Sequence, residues 1–373
     1  MVGDRKKWGR AWGVLGVTLL VLAGVYQFVI APWHAEQEGR PDIVAPMAHW
    51  PWPHATLDSP HAGVTHYLDH SSPDGTVVEL FDFDFGQHPA LRLELYDQDE
   101  DDQTPFDDHV DFWPMGVGQA TRHLNALGRG KVVAAWNGLF FQLSGIGPGQ
   151  HAGHVAPVVL GGRVRYNVGQ VRWAFGVKYR AGKPLFRVSY KPSKASLARD
   201  FDFAAEGASC LIHDGQPLRM QPFPRRGENP FPPSRCDSPE EAGFVQRVDH
   251  IRTSRTSMAW SRDNRHFYLL LVKDPGGEGD SLDAVQQRVR HLGGGWTVAD
   301  EQRFWRQFGA WTAVNIDGGD VTQLAAIRPD GRYDMVPPRW ASPQMRLTLP
   351  ADFTGAPAGG TLMYFYVRDT SAR

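Results

Sequence analysis

Ala313-Val314-Asn315-Ile316-Asp317-Gly318-Gly319-Asp320-Val321-Thr322 reads as an apolar strand that ends on a carboxylate and turns at once on two glycines. Carboxylates at strand ends, beside backbone that tolerates close approach, are where sheet proteins place chemistry. Asp-Gly-Gly is equally good tight-turn composition, so the surrounding chain decides between the two readings. Just upstream, residues 298–308 carry Val298, Phe304, Trp305 and Phe308 on one face of an expected helix that leads straight into this strand.

Working outward, alternating or continuous apolar runs predict strands at 76–85, 90–96, 131–136, 171–179, 185–190 and 210–213. A hairpin is expected from 257–260 and 266–273, and a last strand at 361–368. Helices are expected at 118–127 and 282–292 besides 298–308. Without a repeat or a regular βαβ alternation, this mixture predicts an α+β fold with a mixed or antiparallel β-sheet core and flanking helices. The 40 Gly and 28 Pro in 373 residues favour a loop- and strand-rich chain over a helical bundle. A formal net charge of -2 argues against nucleic acid as a partner.

At the N-terminus, Arg5, Lys6, Lys7 and Arg10 precede an uncharged apolar run over residues 12–32, flanked by Trp12 and Trp33. Its length matches the roughly 20 residues of a membrane-spanning helix, and the basic flank belongs in the cytoplasm. The expected organisation is therefore a cytoplasmic basic segment (1–11), a transmembrane signal anchor in the lipid bilayer (12–32), a Pro- and His-rich tether (33–73), and an outward-facing domain (74–373), periplasmic or extracellular. A cleaved signal peptide is the rival; the run is long for one. Export permits a disulfide between Cys210 and Cys236, closing the Pro/Arg-rich loop at 221–236; two buried thiols are the alternative. The tether histidines His34, His49, His54, His61, His66 and His70 lack the spacing of a metal site, and no metal or cofactor is expected. The acidic run from Asp97 to Asp108 lacks the EF-hand pattern and reads as a solvated loop.

Four segments stand out together: Ala134-Ala135-Trp136-Asn137-Gly138-Leu139-Phe140-Phe141, where a strand stops at Asn137; Gly207-Ala208-Ser209-Cys210-Leu211-Ile212-His213-Asp214-Gly215; Arg252-Thr253-Ser254-Arg255-Thr256-Ser257-Met258-Ala259; and the opening run with Asp317-Gly318-Gly319-Asp320. In this order, across residues 120–325, they resemble the phosphodiester glycosidase family, to which the lysosomal uncovering enzyme is related. The family's patterns are Asn-Gly-Gly-Phe-Phe, Gly-x-x-Leu-x-x-Asp-Gly, Arg-Thr-Ala-Val-Gly and Asn-Leu-Asp-Gly-Gly-Gly-Ser. Leu139 and Ala259 stand where the family has Gly, and Asp320-Val321-Thr322 replaces Gly-Ser-Ser or Gly-Ser-Thr. The resemblance implies hydrolysis of a sugar–phosphodiester bond and a carbohydrate or sugar-phosphate partner.

On that reading Asp317 stabilises an oxocarbenium-like state or activates water. Arg255 offers a guanidinium fork to phosphate, or forms a structural ion pair. Asn137 reaches sugar hydroxyls with Gly138 permitting close approach, or the two form a turn. Thr256 orients the same group or packs in its strand. Gly318 and Gly319 present N–H groups to an anion or sugar hydroxyl; Asp320 binds a cation or accepts a hydrogen bond, with a plain turn role as the alternative, and Thr322 belongs to the same binding segment. Phe140 and Phe141 divide between sugar stacking and core. His250 and Glu206 are candidates for acid/base work, with ordinary structural roles as the alternative. A non-catalytic glycan-binding or envelope polysaccharide assembly protein on the same fold is the second hypothesis.

Overall fold

The computed structural model describes residues 49–107, 109–110, 114–144, 151–166, 173–218, 252–275, 294–338, 346–349 and 361–372. The chain begins with β1 (Thr56–His61), β2 (Val64–Asp69), β3 (Val77–Asp84), β4 (Leu91–Asp97) and β5 (His109–Val110). Helix α1 (Val117–Ala126) precedes β6 (Lys131–Asn137), β7 (Phe141–Ser144), β8 (His151–His154), β9 (Val158–Leu160) and β10 (Arg163–Arg165). Next come β11 (Trp173–Arg180), β12 (Lys183–Tyr190), α2 (Lys194–Asp200), β13 (Phe203–His213) and β14 (Gln216–Pro217). After β15 (Arg255–Trp260) and β16 (His266–Lys273), α3 (Val298–Phe308) leads into β17 (Thr312–Asn315). The last strands are β18 (Leu324–Ile327), β19 (Tyr333–Val336), β20 (Leu347–Leu349) and β21 (Met363–Asp369).

The larger sheet runs β1-β2-β3-β16-β15-β17-β13-β11-β12, with β9, β10 and β14 attached off that path. The second runs β20-β19-β18-β6-β21-β4, and β5, β8 and β7 form a third. Every strand pair among the described residues is antiparallel. Large aromatic side chains fill the space between the two main sheets. Trp136 and Phe365 of the second sheet stack at 6.3 Å. Trp136 also meets Phe83 and Phe267 of the larger sheet at 6.3 and 6.1 Å, and Phe365 meets Phe175 at 5.4 Å. Each such buried ring contributes about 1.5–3 kcal/mol relative to exposure.

Helix α3 covers part of the larger sheet's other face, where Trp305 Nε1 donates to Ser257 Oγ at 2.9 Å. Its start is a reciprocal cap: Thr297 Oγ1 accepts the Asp300 N–H, and the Asp300 carboxylate accepts the Thr297 N–H. Gly309, at φ 85°, ends it in the left-handed conformation.

Several expectations need correction. Residues 49–73, assigned to the tether, are part of the fold, which forms one unit from His49 onward. Trp50 and Trp52 pack on Phe304 at 5.2 and 6.0 Å, and Trp52 stacks on Tyr67 at 4.4 Å. β2 shows no clean apolar alternation, because its buried positions hold His66 and Asp69 as well as Val64. The acidic run is not wholly solvated: Asp97 and Asp99 are buried, and Asp97 Oδ2 accepts the Tyr166 hydroxyl at 2.7 Å. Cys210 is a free, fully buried thiol that donates to the Ile212 carbonyl, because β13 turns it into the core opposite Val314. Its expected partner Cys236, His250, His34, the anchor at 12–32, the tether at 33–48, the loop at 221–236 and the helix at 282–292 lie outside the described residues. No helix among the described residues is long and apolar enough to cross a membrane.

Candidate active site

β17 lies between two neighbours: Asn315 pairs with Ser257 of β15 on one side and Ser209 of β13 on the other. The Ile316 N–H extends this ladder by donating to the Thr256 carbonyl at 3.0 Å. Asp317 follows, buried at the sheet's end. The chain then makes a single 3-10 turn, Gly319–Val321, and crosses into the second sheet as β18. This crossing is what creates a corner between the sheets.

Asn137, at the end of β6, clips the corner shut. Its Nδ2 donates to the Asp317 carbonyl at 2.7 Å. Its Oδ1 accepts the Thr256 hydroxyl at 3.0 Å and the Gln323 N–H at 3.2 Å. One fully buried amide therefore joins β6, β15 and both ends of the crossing. Both polar ends of the Asn137 side chain are bonded within the protein, and Thr256 serves the same clip.

The Asp317 carboxylate differs. Burial pushes its pKa up to about 7, against the opposing pull of the Gly318 N–H and the Arg255 charge. Gly318 N–H reaches Oδ1 at 2.9 Å, and among the described residues nothing else donates to this carboxylate. Arg255, buried at the start of β15, donates from Nε to the Trp296 carbonyl at 3.0 Å. Behind it, Asp274 Oδ2 accepts the N–H and hydroxyl of Ser254 at 2.7 and 2.6 Å. The Ser254 carbonyl in turn accepts the Gly319 N–H at 2.8 Å. A carboxyl group that divides between its two protonation states near neutral pH, beside a fixed cation, is suited to proton transfer.

The glycines are used differently from expectation. Gly318 and Gly319 spend their N–H groups on Asp317 and Ser254. A Cβ on Gly318 would lie 2.9 Å from the Ser254 carbonyl oxygen, and Gly319 has φ 64°. The close approach permitted by Gly138 is to the Met363 backbone, whose carbonyl oxygen would lie 2.7 Å from an added Cβ.

Other expected residues fall around this core. Thr322 is buried, and its hydroxyl has no hydrogen-bond partner among the described residues. Asp320 lies in the 3-10 turn. Glu206 is buried on β13, three residues beyond the Ser209–Asn315 pair and so at the same strand end as Asp317. Phe141 is partly buried against Ala152 and Leu362, and Phe140 is half-buried as well. Gln323 was missed. It joins the clip through its N–H, and its Oε1 accepts the Val117 N–H at 2.8 Å. Asp274, which accepts from Ser254 behind Arg255, was missed too; its sequence signal was its place after β16, the strand beside β15.

Residues 130–346, more than half of the chain, match the sequence model of the phosphodiester glycosidases. Among solved structures, the chain is similar to the catalytic domain of zebrafish N-acetylglucosamine-1-phosphodiester alpha-N-acetylglucosaminidase, auto-inhibited by its pro-peptide. That similarity has a TM-score of 0.47 and 13% identity, over 84% of this chain and 87% of that one. A hypothetical protein from Synechocystis is similar with a TM-score of 0.41 and 14% identity, over 84% of this chain and 68% of that one. Comparison with curated proteins gives no match.

Proposed function

The chain belongs to the phosphodiester glycosidase family, and from that premise we propose that it hydrolyses a sugar-1-phosphodiester bond in a polysaccharide, glycolipid or envelope glycopolymer. The observation that carries this reading is the buried Asp317 carboxyl, held near neutral pKa beside Arg255 at the corner between two sheets. Asp317 acts as general base: it takes a proton from water as the water oxygen attacks the anomeric carbon. The bond from that carbon to the phosphate oxygen breaks, and the phosphate departs as an anion under the Arg255 charge. Because the leaving group is already acidic, the reaction needs no strong general acid.

Asp317→Asn is expected to lower kcat/KM on an α-N-acetylglucosamine-1-phosphodiester by about 10²- to 10⁴-fold, with an unchanged circular dichroism spectrum. Undiminished turnover would overturn the assignment. A second reading, glycan binding without turnover, draws on Asp320 standing where the family pattern has Gly. Saturable glycan binding by a wild-type chain that releases no sugar from a phosphodiester panel would favour it.

Residues 12–32 anchor the chain in a bilayer on this proposal, with the basic N-terminus in the cytoplasm and the catalytic domain outside. Support comes from the length of the apolar run and its basic flank. Protease added to intact cells or spheroplasts should degrade the domain; protection equal to that of a cytoplasmic marker would refute this orientation.

A further inference from the structure

We propose that His61, His88 and Asp369 form a binding site for a divalent transition metal of the zinc class, remote from the Asp317 corner. The three residues come from the end of β1, the loop after β3 and the end of β21. Their ligating atoms all lie within 4.8 Å of one another. Asp369 Oδ2 is 2.9 Å from His88 Nε2 and 3.4 Å from His61 Nε2. Ligands on a tetrahedral zinc with bonds of about 2.0–2.1 Å stand ~3.3 Å apart, so both imidazole nitrogens stand near ligand spacing from Asp369 Oδ2.

The outer partners are those of a metal site. His61 Nδ1 lies 3.0 Å from the Ala62 carbonyl oxygen. An Nδ1–H donated there directs the Nε2 lone pair toward Asp369 Oδ2, the orientation a metal between them would use. The other Asp369 oxygen, Oδ1, accepts the Ser371 N–H and hydroxyl at 2.8 and 2.6 Å, which leaves Oδ2 for the imidazoles. The two rings are 5.6 Å apart and inclined at 66°, so they converge rather than stack.

The backbone holds this arrangement in place. Gly63, at φ 71° in the β1–β2 turn, rests against His88, whose Cβ would lie 2.6 Å from a Cβ on residue 63. The Gly63 carbonyl accepts the Asp84 N–H at 2.8 Å, and the Thr370 N–H donates to the Ala90 carbonyl at 3.1 Å. Both imidazoles keep some solvent exposure, 17% for His61 and 23% for His88, so an ion has a path in. Two nitrogen donors with one oxygen select zinc, cobalt, nickel or copper over calcium or magnesium. The site is separate from the proposed catalysis. Along β21, Asp369 is five positions beyond Tyr364, which pairs with Asn137, or ~17 Å of strand. A bound ion would staple the N-terminal hairpin to the end of the second sheet.

The test is zinc titration of the full chain, without an affinity tag and stripped by chelator, followed by calorimetry and thermal unfolding. Wild type is expected to take up one equivalent that raises Tm by a few degrees, while calcium has no such effect. His61→Gln, His88→Gln and Asp369→Asn are each expected to weaken that equivalent at least tenfold. Equal zinc affinity in wild type and all three variants would overturn the site. Wild type also carries a check independent of folding by the variants. Zinc should protect His61 and His88 from acylation by diethylpyrocarbonate, read by mass spectrometry; unprotected modification of both residues at saturating zinc would refute the proposal.

Discussion

Asp317 shows what a buried carboxyl costs its fold. Its folded pKa of about 7 lies above the ordinary 3.8, so its contribution to stability is complete below pH ~4 and drains away as the pH rises toward 7. At 1.36 kcal/mol per unit, the loss approaches about 4 kcal/mol above neutrality. Asp317→Asn removes the ionisation. The variant is therefore expected to gain stability over wild type at pH 8 and little or none at pH 4.5, by urea denaturation. An advantage equal at both pH values would show that burial does not govern this group. On the proposed mechanism, a general base with this pKa gives a kcat/KM that rises with pH through about 7; a falling limb there would assign Asp317 the role of acid instead. Gly138 is expected to behave as a packing residue. Ala at this position meets Met363 Cγ at 2.3 Å and the Met363 carbonyl oxygen at 2.7 Å, which should destabilise by about 1–3 kcal/mol. A loss of substrate affinity with unchanged stability would restore the expected binding role.

At the scale of elements, the legible parts were those whose burial follows a local period. Helix α3 and strands β3, β4, β6 and β16 were anticipated within a residue or two, because Val, Leu, Phe and Trp mark their covered faces. The first half of β13 was not, since Ala204-Ala205-Glu206-Gly207-Ala208 has weak strand propensity and breaks its register at Gly207, φ 115°. β1 and β2 were hidden by outward or polar side chains whose partners lie elsewhere in the fold. At the site, Asn137 and Asp317 were nameable from their places at strand ends, and Arg255 and Thr256 from the family resemblance, but their hydrogen bonds were not. The bonds of Asn137 span 119 residues to Thr256 and 180 to Asp317, and no linear pattern says which way an amide points. The helix that delivers β17 carries its own test. Thr297→Ala removes one side of the α3 cap and should cost about 1 kcal/mol in urea denaturation; no measurable change would mean that the Asp300 carboxylate alone satisfies the helix start.

For the whole molecule, the two main sheets are joined by charge as well as by the aromatic core. Arg346, just before β20, bridges buried Glu79 of β3 at 2.8 Å and Asp334 of β19 at 2.8 Å. His66 of β2 sits between Glu79 and Asp58, at 3.1 Å from each, and stacks on Phe81 at 4.2 Å. Burial pushes the Glu79 carboxyl up, but Arg346 and His66 together hold it below its usual value. Burial pulls His66 down, and its two carboxylates more than reverse this. The signs are opposite on the two sides of neutrality. The share due to Glu79 is present above the ordinary carboxylate range and lost as the pH falls through its lowered pKa; the share due to His66 is present in acid and lost as the pH rises through its raised pKa. The network is thus strongest between those limits. Arg346→Met should destabilise by about 3–5 kcal/mol at pH 7, since it removes the stronger of the two charges that compensate the buried Glu79 carboxylate. The deficit should shrink as the pH is lowered and Glu79 takes up a proton, in urea denaturation from pH 7 to pH 4. A deficit that stays constant across that range would mean that Arg346 joins the sheets through the packing of its side-chain stem, with the ion pair contributing nothing.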